Sequence, residues 1–408
     1  MIFGACARLT TLASACVLGL MATVPCWSQS LTWLGTLPGG SSSYAYGVSA
    51  DGRVVVGLAT NPAGWSRAFR WTAAGGIQDL GTLGGDSSNA SGVSADGRVV
   101  VGGAENAARY LRAFRWTQVG GMVDLSTLSV GYSVARGVSA DGRVVVGGAE
   151  NAVGRWRALR WTEDRVEDLG TLGGRGSMAY GISADGRAVV GRAENAAGNF
   201  RAFRWTAAGG IQDLGTLGGL ESVAYSVSAD GRVVVGGAEN AAGNFRAFRW
   251  TASGRMENLG TLGGLESVAY SVSADGRVVV GGAENAAGNF RAFRWTASGR
   301  MQDLNAVYAR LLTDGSVLEQ ARAISPDGRY IAGWGFNAAT RRLEAFLLDT
   351  GFPLRGDVDR NGCVDDADLQ AVLLAFGEQG YRNEDINWDG IVNDADLLEV
   401  LFNFGSGC

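Results

Sequence analysis

Between residues 220 and 262 the apolar positions fall into four short runs, each with the two-residue period of a strand. "VAYSVS" (223–228) alternates and leads into Asp230-Gly231, a hairpin signal because glycine takes positive φ without penalty. "RVVVGG" (232–237) returns, rich in β-branched residues. "NFRAFRWT" (244–251) places Phe245, Ala247 and Arg249 on one face and Arg246, Phe248 and Trp250 on the other. After Ser253-Gly254, "RMENLGTL" (255–262) predicts a fourth strand.

The same pattern recurs along the chain. "VSADGRVVVGGAE" stands at 227–239 and again at 272–284, and residues 214–256 and 259–301 are identical over 43 positions. The Asp-Gly landmark occurs at Asp51, Asp96, Asp141, Asp185, Asp230, Asp275 and Asp327, in steps of 45, 45, 44, 45, 45 and 52 residues. Four antiparallel strands every ~45 residues is the period of a β-propeller blade; β-solenoid coils are shorter, roughly 20–30 residues. The ends carry a further clue. The fourth-strand tetrad recurs near Leu34, Leu80, Leu125, Leu169, Leu214, Leu259 and Leu304, so its first copy precedes any hairpin, and nothing follows the last "EAFLLD". A ring uses that offset: "LTWLGTL" (31–37) would complete the seventh blade and leave no open edge. The expected fold of 31–350 is therefore an all-β, seven-bladed β-propeller closed by its N-terminal strand.

Each blade up to the sixth carries a tryptophan, from Trp71 to Trp295, two residues after a Phe or Leu on the same strand face. That placement predicts packing between blades ahead of a sugar-stacking platform. The Asp of each Asp-Gly pair reads first as a turn residue. The unit "RAFRWT…G…DLGTLGG…A…VSADGRVVVG" resembles the HAF family of extracellular repeats, named for a His-Ala-Phe step that here reads Arg-Ala-Phe in most copies, Arg157-Ala158-Leu159 in the third and Glu344-Ala345-Phe346 in the last. The resemblance spans about 31–350 and implies a secreted repeat scaffold without an established active site.

Composition narrows the chemistry. All 35 basic residues are Arg, with no Lys and no His. The chain lacks the commonest general base and every Schiff-base amine. Identical blades also present identical groups in a ring, whereas catalysis needs unlike groups at one point. A localised function should sit where the blades differ. One such column lies five residues before each turn Asp and reads Tyr46, Ser91, Arg136, Tyr180, Tyr225, Tyr270 and Arg322. On the innermost strand these side chains would ring one mouth of the channel, and Tyr with Arg suits sugars or anionic polymers. The alternative is a variable channel lining with no ligand. The second difference is an insertion of about seven residues in "LNAVYARLLTDGSVLEQ" (304–320), expected as a short helix over the mouth or a longer loop.

The charge shifts abruptly at Gly351-Phe352-Pro353: residues 353–408 carry 12 acidic and 3 basic side chains, while 29–352 hold 31 Arg against 28 acids. This tail would bind cations, not nucleic acid. It contains two calcium-loop patterns, "DVDRNGCVDDAD" (357–368) and "DINWDGIVNDAD" (385–396), with acids or amides at positions 1, 3, 5, 9 and 12 and Gly at 6. The expected ligands of one ion are Asp357, Asp359, Asn361, the Cys363 carbonyl, Asp365 and Asp368. Those of a second are Asp385, Asn387, Asp389, the Ile391 carbonyl, Asn393 and Asp396. Each loop runs into a helix with apolar residues at i, i+3, i+4 and i+7 (Leu369, Val372, Leu373, Phe376; Leu397, Val400, Leu401, Phe404), and these matched faces are expected to pack together.

This duplicated loop–helix unit resembles a type I dockerin, a small all-α calcium-binding domain, over 353–408. The resemblance implies a cohesin-like partner and a polysaccharide-related setting. Its partner-contacting pairs map to Asp366-Ala367 and Asp394-Ala395, which differ from the family's Ser-Thr.

Residues 1–28 read as a secretory signal: Arg8, an apolar run from Val17 to Pro25, then Cys26-Trp27-Ser28. Cleavage would leave Cys363 and Cys408, which an oxidising compartment would join in a disulfide. The sequence thus predicts a secreted or cell-surface, non-catalytic repeat scaffold carrying a calcium-dependent attachment module. A polysaccharide-degrading hydrolase or lyase on a propeller, or a purely structural surface protein, are the rival readings.

Overall fold

The computed structural model describes residues 29–125 and 131–408; the expected signal segment lies outside them. Among the described residues the chain forms seven four-stranded antiparallel sheets arranged as blades, each running from an innermost to an outermost strand in chain order. The fifth blade is representative, with strands Gly218–Val227, Val233–Asn240, Phe245–Thr251 and Met256–Asn258. The seventh blade differs in one respect. Its outermost strand is Ser30–Trp33, which pairs with Arg342–Asp349 in the register Ser30↔Asp349 to Trp33↔Phe346. The propeller is closed by its N-terminal strand, as the offset of the repeats implied.

The core lies between blades. Phe248 and Trp250 are buried in a cluster that joins Val190 and Ala202 of the fourth blade to Ala224 and Val234 of the fifth. The tryptophans are packing residues: Trp71, Trp161, Trp205, Trp250 and Trp295 are buried, and Trp116 packs partly buried against its cluster. Within the blade, the close approach of the paired inner strand fixes Gly236, where a Cβ would stand 1.9 Å from the Val223 carbonyl oxygen.

One expectation within the blade is corrected, and one open alternative is resolved. The fourth strand is short, and "LGTL" is a connector. Leu259 turns into the core, its N–H donating to the Ala247 carbonyl at 2.9 Å, while Gly260 takes φ 87° and its N–H is held by Asn258 Oδ1. The insertion before the seventh blade forms a one-turn helix, α1 (Leu304–Val307), and a 3-10 turn (Ala309–Leu311). Leu304 and Tyr308 are buried in the core of the last blades. As a link from an outer strand to the next inner strand, it lies on the face opposite the Asp-Gly turns.

Residues 353–408 carry helices α2 (Asp366–Leu374) and α3 (Asp394–Asn403), each with a capping box in which Asp365 or Asn393 accepts from the first turn. The two halves pack as expected, through the first half of each expected face and not the second. Val358, Val364, Val372, Val392 and Val400 form the core, with Leu369 and Leu397 partly buried. Leu373, Phe376, Leu401 and Phe404 are exposed, together with Leu374, Leu398 and Phe402. Loop valines fill the space between two helices this short, leaving no room for a second row of helix side chains. The halves cross over: Val364 in the first loop pairs with Gly405 and Ser406, and Val392 in the second pairs with Gly377 and Glu378. This brings the chain end to the first loop, where Cys363 and Cys408 are joined in a disulfide.

Candidate functional site

The Asp-Gly turns are structural. Ser228 Oγ and the Arg232 N–H both donate to Asp230 Oδ1, at 2.6 and 3.0 Å, and the arrangement repeats from blade to blade. At the same level the alanine before the Asp ties blade to blade, as in Ala50 N–H to Ala95 O at 2.9 Å and Ala229 N–H to Ala274 O at 3.0 Å.

The variable column has a structural origin that alternation did not reveal. In every inner strand the pairing register shifts across one residue, between Ala45 and Gly47, Ala90 and Gly92, Ala135 and Gly137, and onward to Ala321 and Ala323. The skipped residues are Tyr46, Ser91, Arg136, Tyr180, Tyr225, Tyr270 and Arg322. A bulge leaves one residue unpaired and re-aims its side chain. Here each bulge turns one side chain toward the central channel.

These side chains meet as expected, at the waist of the channel and not at its mouth. Tyr180, Tyr225 and Tyr270 follow one another with ring centroids 5.3 and 5.5 Å apart. The Arg322 guanidinium lies 3.7 Å from the Tyr270 ring centroid and 5.5 Å from that of Tyr46. The ring separates two cavities. One, about 260 Å³, opens toward the Asp-Gly turns with walls of Gly, Ala and Val. The other, about 360 Å³, lies on the far side and reaches Leu58, Asn89, Arg136 and Arg322. Burial raises the Tyr46 and Tyr225 phenols above their ordinary range, and the protein packed around Arg136 lowers its pKa.

The acidic module sits over the Asp-Gly mouth. Arg360, fourth in the first loop with φ 61°, donates from Nη1 to Asp275 Oδ2 at 2.6 Å. Trp388, fourth in the second loop with φ 59°, is 5% exposed and lines the 260 Å³ cavity. Tyr381 stacks on Trp388 at 6.3 Å, and burial beside Asp141 and Asp385 pushes its phenol up to about 12. These contacts were missed because a loop pattern assigns no task to position 4. The large side chain there in both copies is the signal.

The two loops share most of their backbone cradle and differ at position 1, where Asp385 Oδ1 accepts from the Asp389 N–H at 3.0 Å and Asp357 Oδ1 accepts nothing. Gly362 N–H donates to Asp357 Oδ2 at 3.0 Å and Gly390 N–H to Asp385 Oδ2 at 2.9 Å. Asp368 accepts from Val358 and Asp365 N–H at 2.7 and 2.9 Å; Asp396 accepts from Asn387 and Asn393 N–H at 3.1 and 2.9 Å. Position 5 likewise accepts from position 7: Cys363 N–H to Asn361 Oδ1 and Ile391 N–H to Asp389 Oδ1. Asp357, Asp359 and Asp368 bring one oxygen each within 4.8 Å of the others, the single such acidic cluster among the described residues. The second loop has Asn387 where the first has Asp359.

A cation fits the first cluster. Asp357 Oδ1 is buried with no hydrogen-bond partner. Burial pushes its carboxyl up to about 6, with Asp368 and Asp359 adding to the rise. In the second loop, burial with Asp396 and Asp389 nearby pushes Asp385 up to about 7. Asp366, Ala367, Asp394 and Ala395 are exposed at the helix N-termini.

No family model and no curated protein matches the sequence. Solved structures match the fold. The chain is similar to TolB from Acinetobacter baumannii (14% identity, TM-score 0.44, covering 62% of this chain and 64% of that one). It is similar to the S511A mutant of a puromycin hydrolase complexed with PGG (17%, TM-score 0.50, 73% of this chain and 52% of that one). It is also similar to the BP39L lectin from Burkholderia pseudomallei (8%, TM-score 0.48, 76% and 96%). The chain thus spans less than two thirds of that TolB and about half of the hydrolase. At these identities the likeness shows the propeller fold alone. No helix among the described residues is long and apolar enough to cross a membrane.

Proposed function

We propose that this chain is a secreted, non-catalytic binding scaffold of the HAF-repeat kind, held to a cohesin-like partner or a cell surface by a calcium-dependent, dockerin-like module. Two calcium ions would occupy the loops, with Asp357, Asp359, Asn361, Asp365, Asp368 and the Cys363 carbonyl around the first. The ions would supply charge neutralisation and crosslink each loop to its helix. The observation that carries this reading is the orphaned, buried Asp357 Oδ1 beside Asp359 and Asp368, a donor set that calls for a hard cation.

Attachment is supported by what the module leaves uncovered. Loop position 4 faces the propeller through Arg360 and Trp388, while the apolar outer rows of both helices, with Asp366-Ala367 and Asp394-Ala395 at their starts, face solvent. The propeller supports a binding role over catalysis because its groups repeat around a ring and its chain has no His or Lys. A polysaccharide-related setting follows from the dockerin resemblance.

The test is surface capture of the full chain on a panel of immobilised cohesin domains. Capture in calcium that is lost in EDTA, and weakened at least tenfold by Leu401→Glu with Leu373→Glu, is expected. Capture indifferent to EDTA, or absent from the whole panel in calcium, contradicts the attachment reading.

A further inference from the structure

In the first three blades the arginine of the Arg-Ala-Phe/Leu step is paired with an acid on the outer strand. Arg67 meets Asp79 at 2.9 Å, Arg112 meets Asp124 at 3.0 Å and Arg157 meets Asp168 at 3.0 Å. The two arginines of the channel have no acid in their shared 360 Å³ cavity. Arg136 and Arg322 replace the tyrosine of other blades at the bulged position. The Arg322 guanidinium carbon lies 3.7 Å from the Tyr270 ring centroid, and a guanidinium over a ring can still donate its N–H groups to an acceptor in its own plane. Arg136 stands between Ser91, the smallest member of the ring, and Tyr180.

Arg136 is open to the channel solvent and Arg322 is half-buried. Two guanidinium groups in one cavity without a carboxylate repel each other, and an anion between them would relieve that repulsion. The protein packed around Arg136 lowers its pKa, Tyr180 and Tyr46 oppose that shift, and Arg322 adds to it. The repeat offers Tyr and Ser as uncharged alternatives at this position, so two charges are present where neutrality was available. The volume is that of a small-molecule site, about 300–1,000 Å³. Trp388 stands on the other side of the tyrosine ring, so entry is from the face opposite the module.

We infer that the far half of the channel is an anion-binding pocket, in which Arg136 and Arg322 hold the carboxylate or sulfate of a small acidic ligand and the tyrosine hydroxyls supply neutral hydrogen bonds. An acidic sugar and a free inorganic or organic anion share this chemistry. The inference rests on the reading of the propeller as a binding domain and is independent of the calcium module.

Calorimetric titration of the full chain at low salt, in calcium and in EDTA, tests it with four probes: digalacturonate, citrate, sulfate and cellobiose. At least one anionic probe should bind and cellobiose should not. Tight digalacturonate with weak citrate and sulfate identifies a saccharide site; the reverse identifies a free-anion site. Arg136→Ser with Arg322→Ser introduces the residue that the second blade carries there and should weaken binding by a hundredfold or more. The bound anion should raise the melting temperature of the parent and not of that variant. Arg53→Gln, on the exposed Asp-Gly rim, should leave binding unchanged. Equal binding of cellobiose, binding that survives the double substitution, or no binding of any anion at millimolar concentration would overturn the inference. Failure in calcium and EDTA alike leaves the cohesin capture test untouched.

Discussion

Asp357 and Asp385 open the two loops, and both carboxyls are pushed up, to about 6 and about 7, by burial among other acids. Their ordinary value is 3.8. Without metal the native state therefore binds protons that the unfolded chain has released. The resulting stabilisation is complete below the ordinary value and is lost as pH rises through 6 and 7. Calcium competes for the same oxygens, so its affinity should climb over that window. Scanning calorimetry of the full chain in EDTA should show the module's transition falling between pH 5 and pH 8, with saturating calcium flattening or reversing the slope. Parallel curves with and without calcium would show that these carboxylates are not ligands. Both residues were legible as loop position 1, since spacing and the Gly at position 6 specify them. The outward faces of Leu373 and Phe376 were not, because helical periodicity says which residues align and not whether anything lies opposite.

At the scale of elements, the hairpins, repeated seven times, the inter-blade tryptophans, repeated six times, and the closing strand, marked by the offset of the chain ends, were all legible. The inner-strand bulge was hidden. It removes one residue from the two-residue period, and the run Ala-Tyr-Ser-Val around Tyr225 still reads as an ordinary strand. The closing strand, Ser30–Trp33, is short but carries Trp33 edge-on to Phe346, with ring centroids 6.1 Å apart. Deleting residues 31–38 should expose the edge of Arg342–Asp349 and unseat Leu34 and Leu37, both buried in the first core. Loss of that burial costs about 2–5 kcal/mol per leucine. The shortened protein should aggregate or melt many degrees lower. A melting curve matching the parent would mean that the seventh blade does not need this strand.

Over the whole molecule, repeated blades build a ring, and the differences of most consequence are the bulged column, the inserted α1 and the acidic module. The module concentrates 12 acids against 3 arginines and spends one of those arginines, Arg360, on Asp275 of the propeller. Folding of the loops, seating of Trp388 and display of the outer helix faces are then joined through the same two loops. Calcium loading is the claim on which attachment depends. Its most direct test is a calcium titration of the full chain by isothermal calorimetry, beside the Asp357→Ala, Asp385→Ala double variant. Two ions per chain, abolished in the variant, is the predicted result; heats at the level of dilution in the parent, or a stoichiometry unchanged by the two substitutions, would contradict it.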